Sequence, residues 1–285
     1  TLELILSEQV RELALKAKTK RCKRKEESLV NLESSLAQVV IGVRRSGKST
    51  LCFNAMHASK VKYAYVNFDD ERLAEIQAAH LNDVLEVLYK INGDFTHLFL
   101  DEIQNVEGWH LFVNRMLRIG MKVVITGSNA KLLSSELATH LTGRHNPIEL
   151  YPFSFAEFCD CKGLDTETLT TSSEASRRAA FDEYLMQGGF PELVFEKGSM
   201  QYVSHLVESI IHRDIQKRYK IRYFAAFERM ANHLMNIAPT ILSPADLTMT
   251  FGFGTPQTTN NYIKFLQQAY LLMELGKFSP KSKIR

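Results

Sequence analysis

Gly42, Val43, Arg44, Arg45, Ser46, Gly47, Lys48, Ser49 and Thr50 follow one another as a glycine, four residues, then Gly-Lys-Ser-Thr. That spacing suits the binding of a phosphate chain. The two glycines allow a tight turn whose N–H groups point inward at phosphate oxygens. Lys48 supplies a cation for the outer phosphates, and Ser49 supplies a hydroxyl ligand for Mg²⁺. A second group of chemical interest is Asp101-Glu102, which ends the apolar run His97-Leu98-Phe99-Leu100. An aspartate at the end of a buried strand can reach the Mg²⁺ held by Ser49. Glu102, beside it, is suited to polarise a water for in-line attack, the role of a general base.

Both groups need elements to position them. Gln38-Val39-Val40-Ile41 reads as a buried strand before the glycine loop, and residues 49–58 read as a helix after it. Strands are expected at 37–43, 62–68, 96–101, 121–127 and 147–151, with helices between them. Such alternation predicts an α/β fold with a parallel sheet covered on both faces. Ligands on these sheets sit at the carboxyl ends of the strands. Asn67, Asp101, Glu102, Thr126, Ser128 and Asn129 all fall at those ends.

Length and composition set the bounds. The 285 residues suggest about two domains, and 45% hydrophobic with 24% charged residues is ordinary for a globular protein. A formal charge of +3 is too small to demand a polyanion partner. No apolar run approaches about 18 residues and no apolar leader opens the chain, so neither a membrane span nor a signal segment is expected. A cytoplasmic location follows as an expectation. Cys22, Cys52, Cys159 and Cys161 lack the spacing of a zinc knuckle and are expected as free thiols. The chain opens at Thr1 without methionine and stops after a strand-like stretch, so a longer parent protein is expected.

Residues 1–28 hold an amphipathic helix (Leu2, Leu4, Ile5, Leu6, Val10, Leu13) and then a basic cluster: Lys16, Lys18, Lys20, Arg21, Lys23, Arg24 and Lys25. The cluster is either a solvated face or a nucleic-acid contact. Arg44 and Arg45 either touch phosphate or pair with the Asp69-Asp70-Glu71 group. After Phe155 the alternation stops, and residues 156–222 are helical in pattern. In 223–285, Phe227, Met230, Leu234 and Ile237 are helically spaced. Ser243-Pro244 and Thr255-Pro256 open two more helices, and Leu271–Leu275 reads as a strand. Three helices and a strand suggest a winged helix-turn-helix. On its third helix Gln257, Thr258, Asn260, Asn261 and Lys264 could face DNA, or the module could be structural.

Several blocks carry a family likeness: Gly42–Thr50, Tyr65-Val66-Asn67-Phe68-Asp69-Asp70-Glu71-Arg72, Leu100–Asn105, Ile125–Leu133, Leu141-Thr142-Gly143-Arg144 and Leu150–Phe155. They resemble prokaryotic AAA-type P-loop ATPases, more narrowly the archaeal and bacterial group with a C-terminal domain of unknown function. The likeness runs from about Leu29 to the end. It implies a P-loop ATPase core at 29–155, a helical lid at 156–222 and a winged helix at 223–285, with ATP and Mg²⁺ as cofactors. ATP is preferred to GTP by the resemblance alone. It implies that Asn67 holds Glu102 away from water until a partner binds, beside the reading of an ordinary strand-end residue. Ser128 or Asn129 would sense the γ-phosphate and attacking water. Arg144 matches the arginine finger that reaches a neighbouring subunit, which implies a homo-oligomer; an ion-paired structural arginine is the alternative. Relatives carry a lid arginine after a Gly-Asp pair. Gly188-Gly189-Phe190-Pro191 lacks it, leaving only Arg213 or Arg218 as substitutes. The resemblance thus implies Mg²⁺-dependent ATP hydrolysis coupled to lid and winged-helix movement. The alternatives are a slow nucleotide-gated switch or an ATP-tuned DNA-binding protein.

Overall fold

The computed structural model describes residues 1–16, 22–128, 141, 143–196 and 200–276. The chain divides into two compact units, residues 1–200 and 201 onward. The first unit is built on five strands: β1 (Ala37–Ile41), β2 (Tyr63–Asn67), β3 (His97–Asp101), β4 (Lys122–Gly127) and β5 (His145–Glu149). Every neighbouring pair is parallel, in the order β2-β3-β4-β1-β5.

The strands alternate their side chains between two apolar layers, as the period of two requires. Val39, Ile41, Leu98, Leu100, Val123 and Ile125 face one layer, together with Leu81, Val84 and Leu88 of helix α3 (Leu81–Asn92) and Val113 and Met116 of α4 (Trp109–Arg118). Val40, Phe99 and Val124 face the other, against Leu51, Cys52 and Met56 of α2 (Lys48–Ser59). Burying each large aliphatic side chain contributes about 1.5–3 kcal/mol, so this double layer fixes where the strand ends lie.

The predicted sheet is present with small shifts. β5 begins two residues earlier than expected, because it pairs with β1 from Ala37↔His145 to Ile41↔Glu149. Pro147, which lacks a donor, is tolerated there because β5 is an edge strand. The opposite edge is covered. Helix α1 (Leu2–Lys16) buries Leu6 and Leu13, and its Gln9 pairs with the β2 backbone. The Gln9 amide accepts from Asn67 N–H at 2.9 Å and donates to Asn67 C=O at 3.0 Å, as a neighbouring strand would.

Two expectations are corrected. Cys22 and Cys161 form a disulfide across 139 residues of sequence, while Cys52 and Cys159 are free and buried. Folding brings the 22–30 segment against the helix Phe155–Lys162, a proximity that spacing could not reveal. Arg24 is buried rather than solvated, while Lys23 and Lys25 are exposed. Lys18, Lys20 and Arg21 lie outside the described residues. No helix among the described residues is long and apolar enough to cross a membrane.

Helices Phe155–Lys162, Thr171–Gln187 and Pro191–Phe195 follow the sheet in the first unit. The helix Met200–Ser209 continues as a π-helix over Ile210–Gln216, and Phe224–Ile237, Pro244–Phe251 and Pro256–Gln268 follow in the second unit. Ser243 and Thr255 cap the last two as expected. Phe227, Met230, Leu234, Tyr262 and Leu266 form the core of this unit. Residues 271–276 form no strand. Met273 and Leu275 are 71% and 86% exposed, and a strand without a partner leaves its backbone unpaired. A helical unit is therefore present, and no wing is found among the described residues.

Candidate functional site

The glycine loop leaves the carboxyl end of β1 and enters α2. Gly42 sits at φ 149°, and a β-carbon there would lie 1.9 Å from the Leu150 carbonyl oxygen, so only glycine lets the loop pass β5 so closely. Arg45 and Gly47 both take positive φ, 68° and 95°, on either side of Ser46. Helix α2 starts at Gly47 without a side-chain cap, so its first N–H groups remain for an anion. The Ser46 hydroxyl is buried and has no hydrogen-bond partner among the described residues.

Lys48 is 5% exposed and folds back to donate to the carbonyls of Gly42 (3.2 Å) and Val43 (3.0 Å). Its ammonium lies 3.9 Å from Glu102. Ser49 donates its hydroxyl to Asp101 at 2.8 Å. Asp101 also accepts from the Tyr65 hydroxyl at 3.1 Å and, in a short contact, from the Thr126 hydroxyl. Burial pushes the Asp101 carboxyl above its ordinary value, Glu102 adds to the rise, and the three hydroxyl donors only moderate it. A buried carboxylate in such surroundings favours an added cation. Burial and the charge of Asp101 likewise push the Tyr65 hydroxyl up.

The donor set fits Mg²⁺. Oxygens at about 2.0–2.1 Å from an octahedral Mg²⁺ stand about 2.9 Å apart along an edge, and the Ser49 and Asp101 oxygens are 2.8 Å apart. Among the described residues no group of three or more His, Cys, Asp or Glu could hold a metal by itself. A cation at Ser49 and Asp101 therefore needs oxygens from a phosphate ligand and water.

Glu102 takes a left-handed backbone, φ 52°. Its N–H donates to Thr126 at 3.1 Å, and its carboxylate accepts from Ser128 N–H at 3.2 Å and, in a short contact, from the Gln104 amide. Asn67 stands in register with Asp101, and its side-chain oxygen accepts from Asp69 N–H at 2.9 Å. Among the described residues, Gln104 and Ser128 hydrogen-bond the Glu102 carboxylate. Arg44 pairs with Asp69 at 3.2 Å, as one reading of the sequence expected. Arg45 instead pairs with Glu192 at 2.6 Å, and Pro191 stands 3.7 Å from a β-carbon built on Gly47.

Asn129 lies outside the described residues. Arg144 is exposed and immediately precedes β5, where its carbonyl accepts from Ala37 N–H at 3.0 Å. Ala37 opens β1 and the loop leaves its other end, so Arg144 stands at the amino end of these strands, about 13 Å from the loop at the usual strand rise. Sequence reasoning missed Tyr65, Gln104 and Arg24. Tyr65 reads as a packing residue until the structure carries its hydroxyl to Asp101, two residues beyond its register partner Phe99, and Arg24 is hidden among neighbouring lysines.

Comparison with known proteins agrees with this architecture. Residues 34–159 match the family model described as an AAA domain, and residues 178–285 match a domain of unknown function (DUF8612). An uncharacterised protein of Methanocaldococcus jannaschii is 33% identical over 263 residues, covering 89% of this chain and 59% of its own length. An uncharacterised protein of Haemophilus influenzae is 28% identical over 265 residues, covering 88% of this chain and 65% of its own. The chain thus spans less than two thirds of either relative. Among solved structures, a Walker-type ATPase of Pyrococcus abyssi is similar at a TM-score of 0.47 and 14% identity, covering 87% of this chain and 90% of that one. AMPPCP-bound DnaA of Aquifex aeolicus is similar at 0.36 and 15%, covering 86% of each. Both likenesses are too loose to carry residue correspondences. With its parallel sheet and glycine loop, the chain carries an AAA domain of P-loop type over residues 34–159, followed by a domain of unknown function over residues 178–285.

Proposed function

We propose that this chain binds ATP with Mg²⁺ in the Gly42–Thr50 loop and hydrolyses it to ADP and phosphate. The observation that carries the reading is the 2.8 Å contact of Ser49 with Asp101, beside Lys48 and Glu102, at one edge of the sheet. The loop N–H groups and the start of α2 bind phosphate oxygens. Lys48 exchanges its bonds to Gly42 and Val43 for the outer phosphates. Ser49 and Asp101 would hold Mg²⁺, which would neutralise charge on the phosphate oxygens. Glu102 orients the attacking water and takes its proton, once a movement releases it from Gln104 and Ser128. Ser128 or Asn129 completes the contact with the γ-phosphate. Hydrolysis is read as coupled to movement of the helices that follow the sheet.

Lys48→Ala is expected to abolish nucleotide binding, read with a fluorescent ATP analogue. Unchanged affinity in that variant removes the phosphate-loop assignment.

A slow nucleotide-gated switch is the second reading, and one observation favours it. Glu102 is engaged by Gln104 and Ser128 and close to Lys48, a resting arrangement that keeps the base from water. Retention of nucleotide through many minutes at low turnover would select the switch over a turnover ATPase.

A further inference from the structure

Arg24 is 6% exposed, and its guanidinium bonds to three separate stretches of chain. Nε donates to Glu157 at 2.7 Å, one terminal nitrogen to the Tyr151 carbonyl at 2.8 Å, and the other to the Ser46 carbonyl at 3.3 Å. Its central carbon stands 4.6 Å over the Phe153 ring. We propose that Arg24 is the positioning residue of the phosphate loop, holding the Ser46–Gly47 peptide so that the Gly47 N–H faces the phosphates. The proposal rests on the reading of Gly42–Thr50 as a nucleotide site.

Peptide geometry carries the argument. In a trans peptide the C=O of one residue and the N–H of the next point in opposite directions. Arg24 holds the Ser46 C=O toward its guanidinium, so the Gly47 N–H is turned the other way. Ser46 needs this support because Arg45 and Gly47 on either side take left-handed φ, and a loop of that kind has more than one way to turn its peptides. Arg24 itself is held firmly. Glu157 accepts from Ser154 N–H and hydroxyl, each at 2.9 Å, and so is fixed before Arg24 meets it. One helical turn on, Cys161 is bonded to Cys22, two residues before Arg24. The segment is therefore fastened to the Phe155–Lys162 helix at two points on one helix face. A lysine cannot reproduce this arrangement, because an ammonium is a point charge without the planar fork that spans three acceptors.

Arg24→Lys in the full chain is the test variant, with Mg-ATP affinity, kcat and KM measured beside melting temperature. The expected result is a folded protein whose affinity for Mg-ATP falls about tenfold or more, with KM rising by a similar factor. Glu157→Gln, which loosens the anchor without touching the loop, is expected to shift affinity in the same direction by a smaller factor. Guanidinium ion at millimolar concentration should restore part of the affinity to Arg24→Ala and none to Lys48→Ala. If either variant melts lower but keeps wild-type affinity, Arg24 is a structural clamp and the proposal is overturned. Wild-type protein that binds no nucleotide overturns the phosphate-site reading itself, and this proposal with it. Wild-type binding lost in Lys48→Ala but kept in Arg24→Lys overturns the positioning role alone.

Discussion

Asp101 is 4% exposed, yet the chain surrounds it with three hydroxyls, from Ser49, Tyr65 and Thr126, and with no cation of its own bonded to it among the described residues. Hydroxyl donors can reorient when a metal arrives, whereas a paired lysine or arginine would compete with it. Tyr65→Phe removes one donor and leaves the packing, so the Mg²⁺ concentration needed for half-maximal nucleotide binding is expected to shift about two- to tenfold. A magnesium titration in the presence of an ATP analogue reads this, and an unshifted midpoint would show that Tyr65 only packs. Lys48, Ser49, Asp101 and Glu102 were legible in the sequence because loop chemistry and a strand-ending carboxylate pair constrain residue type at fixed spacing. Tyr65 was not, since its role depends on the pairing of β2 with β3, which puts Asn67 level with Asp101. Gln104 was not either. Its contact with Glu102 forms across a turn in which Glu102 is left-handed, which residue types do not reveal.

Elements carry the site through close backbone approaches. Gly189 lies so near Phe153 that a β-carbon would stand 2.0 Å from its carbonyl oxygen, and Phe153 N–H donates to Gly189 C=O at 2.7 Å. Two residues on, Pro191 and Glu192 reach Gly47 and Arg45 of the phosphate loop. Gly189→Ala is expected to destabilise the protein by about 1–3 kcal/mol and to weaken nucleotide binding, because the clash is with backbone that cannot step aside. A urea midpoint equal to wild type would contradict this. The Gly188-Gly189-Phe190-Pro191 stretch was legible as a break in the helical pattern, but its contact with the loop was not. The strands of the sheet were legible because burial on both faces leaves near-continuous apolar runs. The expected strand after Tyr270 failed because an apolar run alone does not supply a partner strand.

At the scale of the whole molecule, Arg144 and the phosphate loop lie at opposite ends of the paired strands β1 and β5, which supports the proposal that Arg144 serves a neighbour's nucleotide. ATP turnover per chain is therefore expected to climb with protein concentration. In Arg144→Ala that climb should vanish, with the high-concentration rate reduced by up to about 10³-fold. A rate that is flat with concentration and indifferent to the substitution would assign Arg144 a local structural part. The family resemblance implied a finger at Arg144, whereas its residue type alone does not distinguish a role in cis from one in trans. The family match to the C-terminal region names no activity, and the chain spans 59% and 65% of the lengths of the two relatives. The most direct test of the account is phosphate release from saturating Mg-ATP by wild-type protein beside Glu102→Gln. The account predicts steady release by wild type and a rate about 10²–10⁴-fold lower in the variant, with nucleotide still bound. Equal rates in the two proteins would contradict it.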